Sequence, residues 1–288
     1  MPNTLSPEWL KTCVYNPGLF EGKVVFVTGG AGTICRVQTE ALILLGANAA
    51  VIGRRPEVTQ KAAEEMQQLR PGAKVIGIGN CDVREVKSLV AAAEKTVQEL
   101  GRIDYVIAGA AGNFLADFNH LSTNAFKSVI SIDLLGSYNT VKACFPELRK
   151  NKGKVLFVSA TLHYRGTSLQ SHVSAAKAGI DALSQALAVE LGPLGIAVNC
   201  LAPGPIDGTE GLGRLLPSDA RKRSLELVPV QRFGTTEDIA NGTVFLFSDA
   251  ASYISGTTLV VDGAAWHTSA RTTYPETVIV QGNKPPKL

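Results

Sequence analysis

Lys177 lies early in a helical segment, within Val173-Ser174-Ala175-Ala176-Lys177, shortly after Ser159-Ala160-Thr161-Leu162-His163-Tyr164. A lysine that faces a cleft holds hydroxyl groups and lowers the pKa of an acid beside it, whereas on a solvated helix face it does neither. Asn113, in Ala108-Gly109-Ala110-Ala111-Gly112-Asn113-Phe114, offers an amide donor or serves as a turn residue. In Thr28-Gly29-Gly30-Ala31-Gly32-Thr33-Ile34-Cys35 the glycines let backbone approach a pyrophosphate at the N-terminus of the following helix. Gly53-Arg54-Arg55 presents two guanidiniums and no acid, which suits the 2′-phosphate of NADPH; the alternative is a solvated basic turn. Asp82, in Cys81-Asp82-Val83-Arg84, either accepts from an adenine amino group or caps the next helix. His163 and His172 lack carboxylate or cysteine partners at metal spacing; structural or surface roles are expected, and no metal.

Most of these residues follow short apolar runs, and the runs set the fold. Val24–Thr28, Ala49–Ile52, Val75–Ile78, Ile103–Ala108, Val155–Val158, Ala197–Leu201 and Thr258–Val261 read as strands. Between them Val37–Leu45, Glu57–Leu69, Glu85–Leu100, Ala125–Leu148, Val173–Leu191 and Glu237–Phe247 read as helices. Unalternating apolar runs suit strands covered on both faces. Strand–helix alternation gives parallel βαβ units with right-handed crossovers. The expected fold is α/β, a single doubly wound parallel sheet of Rossmann type with helices on both faces. Ligands in such sheets bind beyond the carboxyl ends of the strands, where the polar residues above fall. Residues 1–22 read as a polar N-terminal arm, 23–267 as the NADP-binding domain and 268–288 as a polar surface tail.

Composition agrees with this. With 45% hydrophobic and 18% charged residues, the chain is neither disordered nor collagenous nor a coiled coil. A net charge of +3 is too even to imply a nucleic-acid footprint. The longest uncharged apolar stretch, Ala41–Gly53, is too short to span a bilayer. The start, MPNTLSPEWLK, has no apolar signal core. Cys13, Cys35, Cys81, Cys144 and Cys200 contain no CxxC pair, which points to a reducing compartment. A soluble intracellular protein is expected, without nucleic-acid or membrane partners.

Taken together, the Thr-Gly loop, Cys81-Asp82-Val83, Ala110-Ala111-Gly112, Ser159, Lys177 and Pro203-Gly204-Pro205-Ile206 resemble the short-chain dehydrogenase/reductase family from about Lys23 to Gly263. The departures are informative. Thr33 and Cys35 stand where that family usually has glycine, Val173 where it has its catalytic tyrosine, and Asp133 where it has an active-site asparagine. An alcohol–ketone oxidoreductase needs a proton donor on the substrate oxygen, and Val173 supplies none. Asn113-Phe114, Leu121-Ser122 before Asn124-Ala125-Phe126-Lys127, and Thr209-Glu210-Gly211-Leu212 resemble the 2,4-dienoyl-CoA reductase branch. Asp133 and Ala160-Thr161-Leu162 are similar to its peroxisomal members, and Tyr164 to a tyrosine that mitochondrial members use.

The resemblance implies hydride transfer from NADPH to the δ-carbon of a 2,4-dienoyl thioester, then protonation at the α-carbon to give 3-enoyl-CoA. An extended enolate must be stabilised by positioned donors. Asn113 and Tyr164 would donate to the thioester oxygen. Asp133, held ionised by its lysine, and Lys177 would relay the proton through water. Implied cofactor contacts are Gly29, Gly30, Gly32, Thr33, Ile34, Cys35, Arg54, Arg55, Asp82, Lys177, Pro203, Gly204, Ile206 and Thr209. Implied substrate contacts are Arg84, Phe114, Ser122 and Arg214. Homo-oligomers are the family's habit. Pro286-Lys287-Leu288 differs by one residue from the Ser-Lys-Leu address read by the peroxisomal import receptor, so the peroxisomal matrix is expected, with the cytoplasm as the alternative. Two rival readings stay open: a 3-oxoacyl or other carbonyl reductase using Tyr164 as its acid, and a non-catalytic NADP-binding protein.

Overall fold

The computed structural model describes residues 4–209, 212, 221 and 224–268. Seven parallel strands form one sheet, in the order β3-β2-β1-β4-β5-β6-β7. They are β1 (Val24–Thr28), β2 (Asn48–Ile52), β3 (Val75–Ile78), β4 (Tyr105–Ala108), β5 (Lys154–Val158), β6 (Ala197–Pro203) and β7 (Thr258–Val261). The helices are α1 (Thr33–Leu44), α2 (Pro56–Gln67), α3 (Val86–Leu100), α4 (Thr123–Val129), α5 (Gly136–Asn151), α6 (Ser171–Leu191) and α7 (Thr236–Phe247).

Strand residues alternate between two buried layers, which is why the apolar runs show no polar alternation. Val25, Val27, Ala49 and Val51 pack with α1, α2 and α7, while Phe26, Ala50 and Ile52 pack with α3, α5 and α6. Each large side chain so buried contributes about 1.5–3 kcal/mol. The strand order reverses between β1 and its neighbours β2 and β4. Thr28 pairs in register with Ile52 on one side and Ala108 on the other. A crevice at that reversal is the standard ligand position of a doubly wound sheet.

Two elements differ from the sequence expectation. Residues of the N-terminal arm belong to the core: Leu5, Trp9 and Phe20 are buried. The Leu5 N–H donates to Glu40 Oε2 at 2.7 Å, and the Tyr15 hydroxyl donates to the Asn241 carbonyl at 2.9 Å. Phe20 meets Tyr105 edge-on, and Tyr105 stacks on Phe247. These anchors are too sparse to show a period, so composition alone read the segment as polar. The single helix expected over Ala125–Leu148 is instead α4 and α5 joined by a π-helical stretch, Ile130–Leu135, which carries Asp133. Such stretches insert a residue into a helix and recur at functional sites.

Candidate active site

The carboxyl ends of β1, β4 and β5 bring the polar residues to one cleft. β4 runs into Gly109 through Asn113, and β5 ends at Val158, with buried Ser159 next. The π-helical stretch turns the Asp133 side chain toward this cleft, where Oδ1 accepts from the Gly112 N–H at 2.8 Å. Lys177, on the second turn of α6, donates from Nζ to the Val158 carbonyl at 2.9 Å and stands 3.4 Å from Asp133 Oδ2. Both side chains are almost wholly buried. Burial pushes the Asp133 carboxyl above its ordinary value; Lys177, the Gly112 N–H and His172 act in the opposite direction and do not cancel it. Burial is thus the larger influence on this carboxyl, and the lysine and the Gly112 N–H oppose it.

Two buried atoms here have no hydrogen-bond partner, Asn113 Oδ1 and Ser159 Oγ. Each such group costs about 1–3 kcal/mol unless a ligand satisfies it. Together they suit a molecule rich in hydroxyl and amide groups. The glycine loop fits a phosphate-bearing molecule as well. Gly29 adopts φ +71°, and a Cβ there would lie 3.0 Å from the Ala110 backbone. Gly32 caps α1, whose first turn begins at Thr33 and Ile34. Cys35 occupies space that only a glycine at 109 leaves free, since a Cβ at Gly109 would lie 2.1 Å from its sulfur. Burial pushes the Cys35 thiol up to about 12, so it is a packing group and not a nucleophile.

Arg54 and Arg55 are exposed after β2, and the charge of Arg54 reaches Asp82. Arg84 clamps that carboxylate, with Nε 3.0 Å from Oδ1 and Nη2 on Oδ2, and holds its pKa below the usual range. Neither Asp82 nor Arg84 is thus a free contact; each is oriented by the other. Pro203 ends β6, and Gly204 packs directly on Asp262. Ile206 is buried and bridges Gly234, while the Thr209 hydroxyl donates to the Ile206 carbonyl at 2.8 Å. The Ser122 hydroxyl caps α4 by accepting from the Ala125 N–H at 3.1 Å. Arg214 and Pro286-Lys287-Leu288 lie outside the described residues.

Tyr164 is engaged elsewhere. Its hydroxyl donates to Asp181 Oδ2 at 3.3 Å, the same oxygen that stands 2.8 Å from His163 Nε2, and its ring packs against Trp266. Burial, with the Asp181 charge, raises its pKa. Sequence reasoning gave Asp181 no role, because a mid-helix aspartate reads as solvated. It also set His172 aside. That residue is fully buried and stacked on Phe114 with centroids 4.3 Å apart, and burial pushes its pKa below the ordinary histidine value. Phe114 itself remains partly exposed.

A family model described as enoyl-(acyl carrier protein) reductase matches residues 29–264. A (3E)-enoyl-CoA-producing peroxisomal 2,4-dienoyl-CoA reductase of Saccharomyces cerevisiae is 57% identical over 281 residues, 96% of each chain. One from Danio rerio is 41% identical over 90% of this chain and 86% of its own. The crystal structure of levodione reductase superposes with a TM-score of 0.80 at 28% identity, covering 87% of this chain and all of that one. With the glycine loop, the parallel sheet and the buried lysine of α6 in place, the chain belongs to the short-chain dehydrogenase/reductase family.

Proposed function

We propose that this protein reduces 2,4-dienoyl-CoA thioesters to 3-enoyl-CoA with NADPH, an auxiliary step in the peroxisomal β-oxidation of unsaturated fatty acids. The observation that carries this reading is the buried Asp133–Lys177 pair, 3.4 Å apart, beside an equally buried Val173. A ketone reductase needs a hydroxyl donor at the substrate oxygen. Reduction of a conjugated thioester instead needs a place for enolate charge and a proton at the α-carbon, and a carboxylate–ammonium pair serves the second need. The names of the yeast and zebrafish relatives support the same activity, product and compartment.

When bound, the reduced nicotinamide supplies the hydride. The chain's residues do the rest. Asn113, at the carboxyl end of β4, directs its amide donor at the thioester oxygen as charge develops there. Lys177 holds ribose hydroxyls and, with Asp133, passes a proton through water to the α-carbon. Tyr164, tied to Asp181, shapes the wall of the cleft and is the second donor only if that tie opens. Gly29, Gly30, Gly32 and the first turn of α1 cradle the pyrophosphate; Arg54 takes the 2′-phosphate beside Asp82. Phe114 gives the dienoyl chain an apolar face, and Arg84 and Arg214 meet the phosphates of coenzyme A. The working form is a homo-oligomer, carried to the peroxisome by a receptor that reads Pro286-Lys287-Leu288.

The test is purified protein with NADPH and 2,4-hexadienoyl-CoA, set against acetoacetyl-CoA and simple ketones. Oxidation of NADPH with the dienoyl thioester, and a 3-enoyl product, is the expected result. Ketone turnover without dienoyl turnover overturns the reading in favour of a carbonyl reductase. Tight NADPH binding with no turnover of any substrate makes the protein a non-catalytic NADP binder.

A further inference from the structure

Residues 262–268, which follow β7, take no part in the reading above, yet they touch the loops after two other strands. Asp262 is buried and folds the segment: its Oδ1 accepts from the Ala264 N–H at 2.9 Å and its Oδ2 from the Trp266 N–H at 2.8 Å. The turn so made holds Gly263 at φ +61° and Ala264 at φ +67°. A residue with a side chain keeps such a backbone only where its surroundings fix it. Here they do. Gly204, after β6, leaves no room for a Cβ beside Asp262, and a Cβ at Gly263 would lie 2.5 Å from Val230. Ala265 is buried in a cluster with Val228 and Phe233, and the Thr268 hydroxyl lies 2.9 Å from the Leu227 carbonyl. The same segment reaches the loop after β5. Arg165 Nη1 donates to the Thr268 carbonyl at 2.8 Å, and the Trp266 ring meets that of Tyr164 edge-on, with centroids 5.2 Å apart at 66°. The Tyr164 hydroxyl is tied to Asp181, which stands one turn beyond Lys177 on the same face of α6. Tyr164 is therefore held between α6 and Trp266.

We propose that residues 262–268 form a strap joining the loops after β5 and β6, and that Trp266 is a positioning residue which holds the Tyr164 wall of the cleft ready for the thioester. The inference rests on the dienoyl-CoA reading. Among the described residues, the hydrogen bonds and aromatic contacts that the strap makes outside itself go to those two loops; none goes to the glycine loop or to Arg54. In a doubly wound sheet the two halves flank the switch point beside β1, so the strap braces the half away from the β1–β2 loops. A wall fixed beforehand spares the substrate the cost of ordering it, and that saving appears in substrate affinity. The Asp133–Lys177 pair is placed by the π-helical stretch and α6, not by the strap, so the chemical step depends on it much less.

The experiment compares wild type with Trp266→Ala, which removes the ring, and Trp266→Phe, which keeps an aromatic edge against Tyr164. Amide hydrogen exchange is followed in the Tyr164–Thr167 loop and in the glycine loop, together with KM and kcat for 2,4-hexadienoyl-CoA and the Kd for NADPH. We expect W266A to speed exchange in the Tyr164–Thr167 loop and to raise KM, each by about two- to tenfold, the scale of one lost aromatic contact. Exchange in the glycine loop, kcat and the Kd for NADPH should stay within about twofold of wild type, because the loosening is local. W266F should restore most of the KM. Unchanged exchange in W266A overturns the strap. Faster exchange with an unchanged KM overturns the role of Trp266 toward the thioester. Faster exchange in both loops with weaker NADPH binding also overturns the proposal, since that is general loosening of the fold. If the wild type fails to reduce hexadienoyl-CoA, the underlying reading falls instead, and the exchange measurement still decides the strap.

Discussion

At Asp133 two influences compete, and burial exceeds the attraction of Lys177. A carboxylate whose proton affinity is raised, yet which keeps an ammonium 3.4 Å away, is suited to accept from a relaying water rather than to anchor a static ion pair. Asp133→Asn and Lys177→Ala should each lower kcat by at least about a hundredfold, the usual scale for a proton-transfer group. In the wild type, protonating Asp133 removes the acceptor, so the rate falls as pH drops through its raised pKa. That acid limb should lie above the range of ordinary carboxylates and flatten in D133N; a profile identical in both would remove Asp133 from the path. Tyr164→Phe should cost only a few-fold in kcat, because the phenol is committed to Asp181. A loss as large as that of K177A would instead make Tyr164 a donor to the thioester. Cofactor choice belongs to this scale too. A charge-assisted contact of Arg54 with a 2′-phosphate is worth about 1.5–3 kcal/mol, or about ten- to a hundredfold in kcat/KM for NADPH over NADH. Arg54→Ala should erase that ratio. If the ratio survives while KM for the thioester rises, Arg54 meets coenzyme A.

The elements show which parts of this arrangement the sequence could reveal. All seven strands were legible, because strands covered on both faces read as short apolar runs between helical segments. The glycine loop, Asp82 and Lys177 were legible because they follow those strands or open the next helix. The π-helical stretch was not: one extra residue in a helix leaves hydrophobic spacing almost unchanged, yet it rotates Asp133 inward. His172 was expected as a structural or surface residue, and it is fully buried against Phe114. The fit of Cys35 against Gly109 was equally hidden, being a contact between α1 and the turn after β4. That contact can be tested. Gly109→Ala forces a Cβ into the Cys35 sulfur and should destabilise by about 1–3 kcal/mol, a fall in Tm of roughly 2–12 °C for a chain of this size. Adding Cys35→Ala should recover most of it, because neighbours in contact are not additive. Additive losses would mean that the loop, not the sulfur, resists the methyl group.

At the scale of the whole molecule, an enzyme of this kind acts only where its thioester substrates are, so location is part of function. The proposed address is Pro286-Lys287-Leu288, which keeps the basic residue and the leucine of Ser-Lys-Leu. Proline in place of serine narrows the backbone angles open to the tripeptide as it enters a receptor groove, which makes the match weaker without abolishing it. The address also has to work away from the folded domain. Among the described residues the last strand of the sheet, β7, ends at Val261, and the sequence from Gln281 onward includes no strand-like apolar run. A fluorescent protein ending in Gln281–Leu288 should therefore collect in puncta that coincide with a peroxisomal marker. The same fusion without Lys287 and Leu288 should stay diffuse. Replacing Pro286 with serine should sharpen import if the proline is the weak point. Diffuse signal from all three fusions would leave the tail without an address, and a full-length protein still found in peroxisomes would then have to enter with a partner.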